Sequence, residues 1–208
     1  MFSKILVLAP HTDDGELGCG GTIARFIEEK AEVWYVAFSV VKVEREGFPE
    51  DVLKLELDKA MKVLGVPDEN VLTYGYEVRQ FSYHRQEILD DLVKLRRDIS
   101  PDVVFMPSLA DLHQDHKTMA EEARRAYKKD TILAYEQPWN NISFNTVCFV
   151  PLDEQHVQKK LEALACYRTQ QYRTYLNPEF IRGLARTRGT QIEKDYAEAF
   201  EVVRWVMD

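Results

Sequence analysis

The residues Lys4-Ile-Leu-Val-Leu-Ala-Pro10 run without a polar break, stop at a proline and lead at once into the polar turn His11-Thr-Asp-Asp-Gly-Glu16. An uninterrupted apolar run of this length predicts a strand covered on both faces, because a strand with one wet face alternates polar and apolar residues. A second such run, Val33-Trp-Tyr-Val-Ala-Phe-Ser-Val40, lies one helix-length further on. Between them Leu17, Ile23, Ala24, Phe26 and Ile27 suit a helix over Glu16 to Glu29, its first turn weakened by Gly18, Gly20 and Gly21. The opening segment therefore reads as a β-α-β unit with a right-handed crossover.

The alternation continues. Strands are predicted at Val71 to Tyr74, Val103 to Met106, Thr131 to Glu136 and Phe144 to Val150, and helices at Glu50 to Leu64, Arg85 to Ile99, Lys117 to Tyr127 and Val157 to Tyr167. The tail, Tyr196 to Val206, fits either period and is read as a strand. This pattern predicts an α/β, Rossmann-like fold: a doubly wound, mostly parallel sheet with helices on both faces. The 208 residues carry no internal repeat, low-complexity tract or linker, so one domain spanning 1–208 is expected.

Composition removes several classes. A formal net charge of −8 argues against a nucleic-acid partner, which needs a concentrated positive surface. The apolar N-terminal run is too short for a signal peptide or membrane span, so a cytoplasmic protein without membrane insertion is expected. Cys19, Cys148 and Cys166 form no C-x-x-C pair and read as buried free thiols. A homo-oligomer is also expected.

In open α/β sheets ligands bind beyond the carboxyl ends of strands. Two loops in that position mix histidine with aspartate: Pro10-His-Thr-Asp-Asp-Gly-Glu16, and Pro107-Ser-Leu-Ala-Asp-Leu-His-Gln-Asp-His116. A catalytic zinc site needs three protein ligands and one open position, and His11, Asp14 and His116 meet that count. Zinc lowers the pKa of its water from 15.7 to about 7, and Asp13, beside a ligand, is placed to take that water's proton. His113 would share a face with His116 at a helix start and could protonate a leaving amine or stabilise an oxyanion. Asp115 is a natural partner for the outer nitrogen of a metal-bound histidine. Asp13, Asp111 and Asp115 each also have a plainer role as a helix cap or Asx-turn residue, and that is the role expected of Asp111.

Together the loops resemble the PIG-L family of zinc deacetylases, also called LmbE-like, whose motifs are His-Pro-Asp-Asp-Glu before a glycine-rich helix start, and His-x-Asp-His. Here these read His11-Thr-Asp-Asp-Gly15, running into Gly18-Cys-Gly-Gly-Thr-Ile23, and His113-Gln-Asp-His116. Tyr167-Arg-Thr-Gln170, Gly183-Leu-Ala-Arg-Thr-Arg-Gly189 and Tyr196-Ala-Glu-Ala-Phe200 are similar to the family's closing elements, so the likeness covers nearly the whole chain. The resemblance implies His11, Asp14 and His116 as zinc ligands, with ferrous iron as an alternative ion. It likewise implies Asp13 as general base and His113 as the group that stabilises the transition state. The implied reaction is removal of an acetyl group from a small N-acetylated amino-sugar derivative by metal-bound water, with a larger amide conjugate as the alternative substrate. Thr12 and Gly15 depart from the family's proline and acidic residue, which predicts a looser loop. No tyrosine occupies the Asp111–Leu112 stretch, where some relatives place one.

Arg168, Arg173, Arg182, Arg186 and Arg188 cluster in an acidic chain. Guanidinium forks bind carboxylate and phosphate bidentately, so Arg186 or Arg188 is a candidate to meet an anionic group on the substrate, with a solvated face or a subunit interface as the alternative reading of the cluster. Two other readings stay open on spacing alone. One is a two-histidine, one-carboxylate iron site, which usually sits in a β-rich fold. The other is a non-catalytic nucleotide-binding module using Gly18 to Gly21 as a phosphate cradle, although its spacing does not match the usual fingerprints. Val41 to Pro49 is a candidate lid.

Overall fold

The computed structural model describes residues 2–40, 42 and 47–207; Val41 and Val43 to Glu46, much of the candidate lid, lie outside the described residues. Among the described residues seven strands form one sheet in the order β3-β2-β1-β4-β5-β7-β6. They are β1 (Lys4–His11), β2 (Glu32–Ser39), β3 (Val71–Thr73), β4 (Val103–Pro107), β5 (Thr131–Tyr135), β6 (Cys148–Leu152) and β7 (Tyr196–Arg204). Neighbours from β3 to β5 pair in parallel, while β7 pairs antiparallel with both β5 and β6. The expected mostly parallel, doubly wound sheet is thus present, and the tail folds as the strand expected of it. β6 begins four residues later than its apolar pattern suggested.

Among the described residues the six α-helices are α1 (Asp14–Glu28), α2 (Val52–Leu64), α3 (Arg85–Ile99), α4 (Gln114–Ala126), α5 (Glu154–Leu164) and α6 (Pro178–Thr190). Strand β1 shows why its sequence does not alternate. Ile5, Val7 and Ala9 face a core shared with α1, α2 and α5, whereas Leu6 and Leu8 face a second core shared with α3 and α4. All five side chains are buried, each contributing on the order of 1–3 kcal/mol from apolar area removed from water.

Helix α6 was not anticipated. It buries only Ile181, Ala185 and Gly189, too thin a stripe to stand out among its arginines and glycines. Its start was nevertheless legible: Asn177 accepts hydrogen bonds from the backbone of Glu179 and Phe180, and Pro178 occupies the first turn.

Helix α1 is kinked at Cys19 (φ −144°, ψ 26°), which frees backbone N–H groups in its middle. The Glu198 carboxylate of β7 accepts from Gly21 N at 3.0 Å and Thr22 N at 2.7 Å, and Lys160 of α5 balances it at 2.6 Å. The segment read as a candidate phosphate cradle is therefore filled by the protein's own carboxylate, and the nucleotide-binding reading loses its anion site. Gly18 has a different purpose: a Cβ there would come within 2.3 Å of the Tyr135 ring, so glycine lets α1 lie directly against β5.

Candidate functional site

Strands β1 and β4 are adjacent, and the strand order runs outward in opposite directions from them, so a crevice opens beyond their carboxyl ends. Both strands lead through a short turn into a helix. Helix α1 starts at Asp14, earlier than expected, and α4 starts at Gln114 with His113 as its N-cap. The chemistry-bearing residues therefore sit at two strand-to-helix junctions that the parallel register brings face to face.

Three donor atoms converge there. His11 Nδ1 lies 3.0 Å from Asp14 Oδ2, His116 Nε2 lies 3.1 Å from the same oxygen, and the two ring nitrogens are 3.2 Å apart. A tetrahedral ion with bonds of about 2.0–2.1 Å would hold its ligands about 3.3 Å apart, so this triangle suits an ion of zinc's size. The donor set of two imidazoles and one carboxylate suits zinc or ferrous iron. A wider set, His11, His113 and His116, also has its donor atoms within 4.8 Å of one another and could hold a metal.

The outer nitrogens of both rings are held by buried carboxylates. His11 Nε2 meets Asp115 Oδ2 at 3.1 Å, and His116 Nδ1 meets Asp111 Oδ2 at 2.8 Å. Asp115 thus takes the position beside a site histidine that its spacing suggested. Asp111 does more than the turn role expected of it. One oxygen makes the Asx turn, accepting from His113 N at 2.8 Å, while the other orients His116. The i to i+5 spacing of Asp111 and His116 across a loop–helix junction gave no periodic signal of this.

These carboxylates build a site for positive charge. Burial alone would lower the pKa of both rings, but for His11 the Asp14 charge and the hydrogen bonds that the ring donates to Asp115 and Asp14 outweigh it and hold the ring at about 9. For His116 burial is likewise overcome by Asp14 and then by Asp111, which lift it to about 10. Burial opposes ionisation of Asp14, yet the charges of His116 and His11 hold its carboxyl well below the usual range. Asp13 behaves oppositely, raised to about 6 by burial and by the adjacent Asp14 charge. His113 is depressed to about 4 by burial and the neighbouring histidines. Its Nδ1 accepts from Asp115 N at 3.2 Å, so the neutral ring must carry its proton on Nε2.

The departure at Gly15 also has a structural counterpart. A Cβ at that position would come within 2.5 Å of the Tyr35 ring, and Gly15 N instead donates to Tyr35 Oη at 3.1 Å. Tyr35 and Tyr167 both contact the carboxylate of Glu16, and their hydroxyls lie 2.9 and 2.7 Å from the Thr12 carbonyl. The loop expected to be loose is tied down from below by these two phenols.

A cavity of about 470 Å³ opens over the site, lined by His11, Asp13, Asp14, His113 and His116 together with Arg79, Trp139, Arg173 and Tyr175. Arg186 and Arg188 do not line it. Arg186 pairs with Asp195 at 2.7 Å, and Arg188 engages the Glu136 carboxylate through two nitrogens. Charge clustering along α6 could not show that both guanidinium groups are already used. The arginines that do reach the cavity are Arg79 and Arg173, and no carboxylate among the described residues pairs with either. Sequence reading also passed over the loop after β5, where Gln137 touches Asp14 and Trp139 stacks on Tyr175 at 4.3 Å with 11° between ring planes.

Residues 6–127 match the family model described as PIG-L, GlcNAc-PI de-N-acetylase. The uncharacterized deacetylase YaiS of Escherichia coli (strain K12) is 28% identical over 170 residues, covering 79% of this chain and 90% of that protein. Diacetylchitobiose deacetylase of Thermococcus kodakarensis is 28% identical over 123 residues, covering 55% of this chain and 45% of that protein. The crystal structure of the conserved protein TT1542 from Thermus thermophilus superposes with a TM-score of 0.80 at 26% identity, covering 100% of this chain and 97% of that chain. The family match takes in most of β1 and all of α1, β4 and α4, hence both loops of the site, and by it the chain belongs to the PIG-L family of deacetylases.

Proposed function

We propose that this protein is a metal-dependent deacetylase that removes the acetyl group from a small N-acetylated amino-sugar derivative carrying an anionic group. Zinc is the favoured ion and ferrous iron the alternative. The observation that carries the reading is the triangle of His11 Nδ1, Asp14 Oδ2 and His116 Nε2, with edges of 3.0–3.2 Å, formed by residues that line the cavity. The deacetylase relatives support the reaction class, and the named diacetylchitobiose deacetylase supports an N-acetylated sugar as substrate.

A divalent ion held by His11, Asp14 and His116 would supply Lewis acidity and would lower the pKa of a water toward about 7. Asp13, held at about 6, is matched to accept a proton near neutral pH and to return it to the departing amine. His113 stays neutral with its proton on Nε2, which makes it a hydrogen-bond donor to the oxyanion that develops on the acetyl carbonyl. The Trp139–Tyr175 stack offers an apolar wall for a sugar ring. Arg173 and Arg79, which have no carboxylate partner among the described residues, offer guanidinium groups to a carboxylate or phosphate on the rest of the substrate. The anionic handle expected of Arg186 or Arg188 moves to these two residues.

A second ligand set rests on the proximity of His113 to His11 and His116. His113→Ala and Asp14→Ala separate the two: under the favoured set only the Asp14 variant loses metal. For the function itself, protein purified without added metal is analysed for its ion content and then offered a panel of N-acetyl amino sugars, free, phosphorylated and glycosidically linked to carboxylic acids. Released acetate that disappears on chelation and returns with zinc is the expected result. A metal-free protein that no divalent ion activates would refute the proposal.

A further inference from the structure

Asp14 offers two carboxylate oxygens, and the protein treats them differently. Oδ2 faces the ring nitrogens of His11 and His116 and also accepts the His11 backbone N–H at 2.8 Å. Oδ1 points away and accepts from Gln137 Nε2 at 3.0 Å, while the same amide nitrogen lies 3.4 Å from the Asp14 carbonyl oxygen. Both neighbours are acceptors, so only the NH₂ end of Gln137 fits there, and a carboxylate of the same shape would repel. Gln137 is 1% exposed and Asp14 5%, so water does not compete for this contact.

The backbone that carries this side chain is itself braced. Gln137 N donates to Asn141 Oδ1 at 2.7 Å, and the Gln137 carbonyl accepts from Asn140 N at 2.8 Å and Asn141 N at 3.0 Å. This turn is bolted to the second site loop, because Leu112 N donates to the Asn140 carbonyl at 3.1 Å and Asp111 bridges to Asn141. Asp111 in turn orients His116. One short turn after β5 therefore braces the carboxylate ligand directly and a histidine ligand through Asp111.

We infer that Gln137 is a positioning residue of the metal centre: by occupying Asp14 Oδ1 it leaves only Oδ2 for a cation and fixes how many protein oxygens the ion receives. The inference rests on the metal reading of the site. Partners of this kind are worth roughly 10–100-fold in metal affinity or activity in studied sites.

Two variants test it. Gln137→Met removes the amide and keeps the shape of the side chain; Gln137→Asn keeps an amide but withdraws it by one methylene. Zinc affinity is measured by chelator competition, the visible spectrum is recorded after loading with Co²⁺, and a urea unfolding midpoint is taken on each metal-free protein. The expected result is a 10–100-fold loss of zinc affinity in both variants, with altered Co²⁺ band intensity from a changed oxygen count and with metal-free midpoints close to wild type. Wild-type affinity and an unchanged Co²⁺ spectrum in either folded variant overturn the inference. If the wild-type protein itself binds neither ion, the failure belongs to the metal reading.

Discussion

A cation entering the triangle must displace protons, and the structure sets how many. Metal ligation needs a free lone pair on His11 Nδ1 and on His116 Nε2, the atoms that face Asp14 Oδ2. With the His11 ring held at about 9 and the His116 ring at about 10, both are protonated at neutral pH in the metal-free protein. Binding therefore releases up to two protons, and apparent zinc affinity should rise by roughly ten- to hundredfold per pH unit below about pH 9, levelling off above about 10. Between pH 6.5 and 8.5 this amounts to roughly 3–5 kcal/mol of binding free energy, at about 1.36 kcal/mol per proton per unit. The assay is chelator competition across that range, paired with calorimetry in buffers of different ionisation enthalpy to count released protons. An affinity that changes less than threefold over those two units, with no proton release, refutes the reasoning that both rings are protonated before the cation enters.

Without metal the same groups make stability depend on pH in a definite direction. Both histidines are raised above their ordinary 6.5, so their contribution is complete below about 6.5 and is lost as pH climbs through about 9 and 10; the urea midpoint of the metal-free protein should fall over that interval. Asp13→Asn is expected to retain metal and to lower kcat by about 10²–10⁴-fold, and a variant with wild-type kcat would mean another base. Arg173→Ala is expected to raise KM for an anionic substrate while leaving KM for its uncharged analogue unchanged, since the guanidinium lines the cavity and is not one of the proposed metal ligands; equal effects on both substrates would remove it as the anionic contact. Lys160→Met leaves Glu198 buried without its counter-charge and should cost about 3–5 kcal/mol, read as a lowered thermal midpoint, and a loss below about 1 kcal/mol would mean that the N–H groups of Gly21 and Thr22 suffice to hold the carboxylate.

The chain's one-dimensional pattern was enough for the sheet and for the two loops of the site. Apolar runs such as Lys4 to Pro10 must be covered on both faces, and that demand alone selects a parallel sheet between two helical layers. It also sends His11, Asp13, Asp14, His113 and His116 to one edge, because parallel strands all end on the same side. What spacing could not decide was which group meets which across the crevice. Asp111 as partner of His116, Gln137 on Asp14, Glu198 in the kink of α1 and the consumption of Arg186 and Arg188 by Asp195 and Glu136 depend on contacts between segments far apart in the chain. Local sequence carries the energy of its own backbone pattern, but pairings of this kind are set by strand register and helix packing, so they come into being only when the tertiary structure closes.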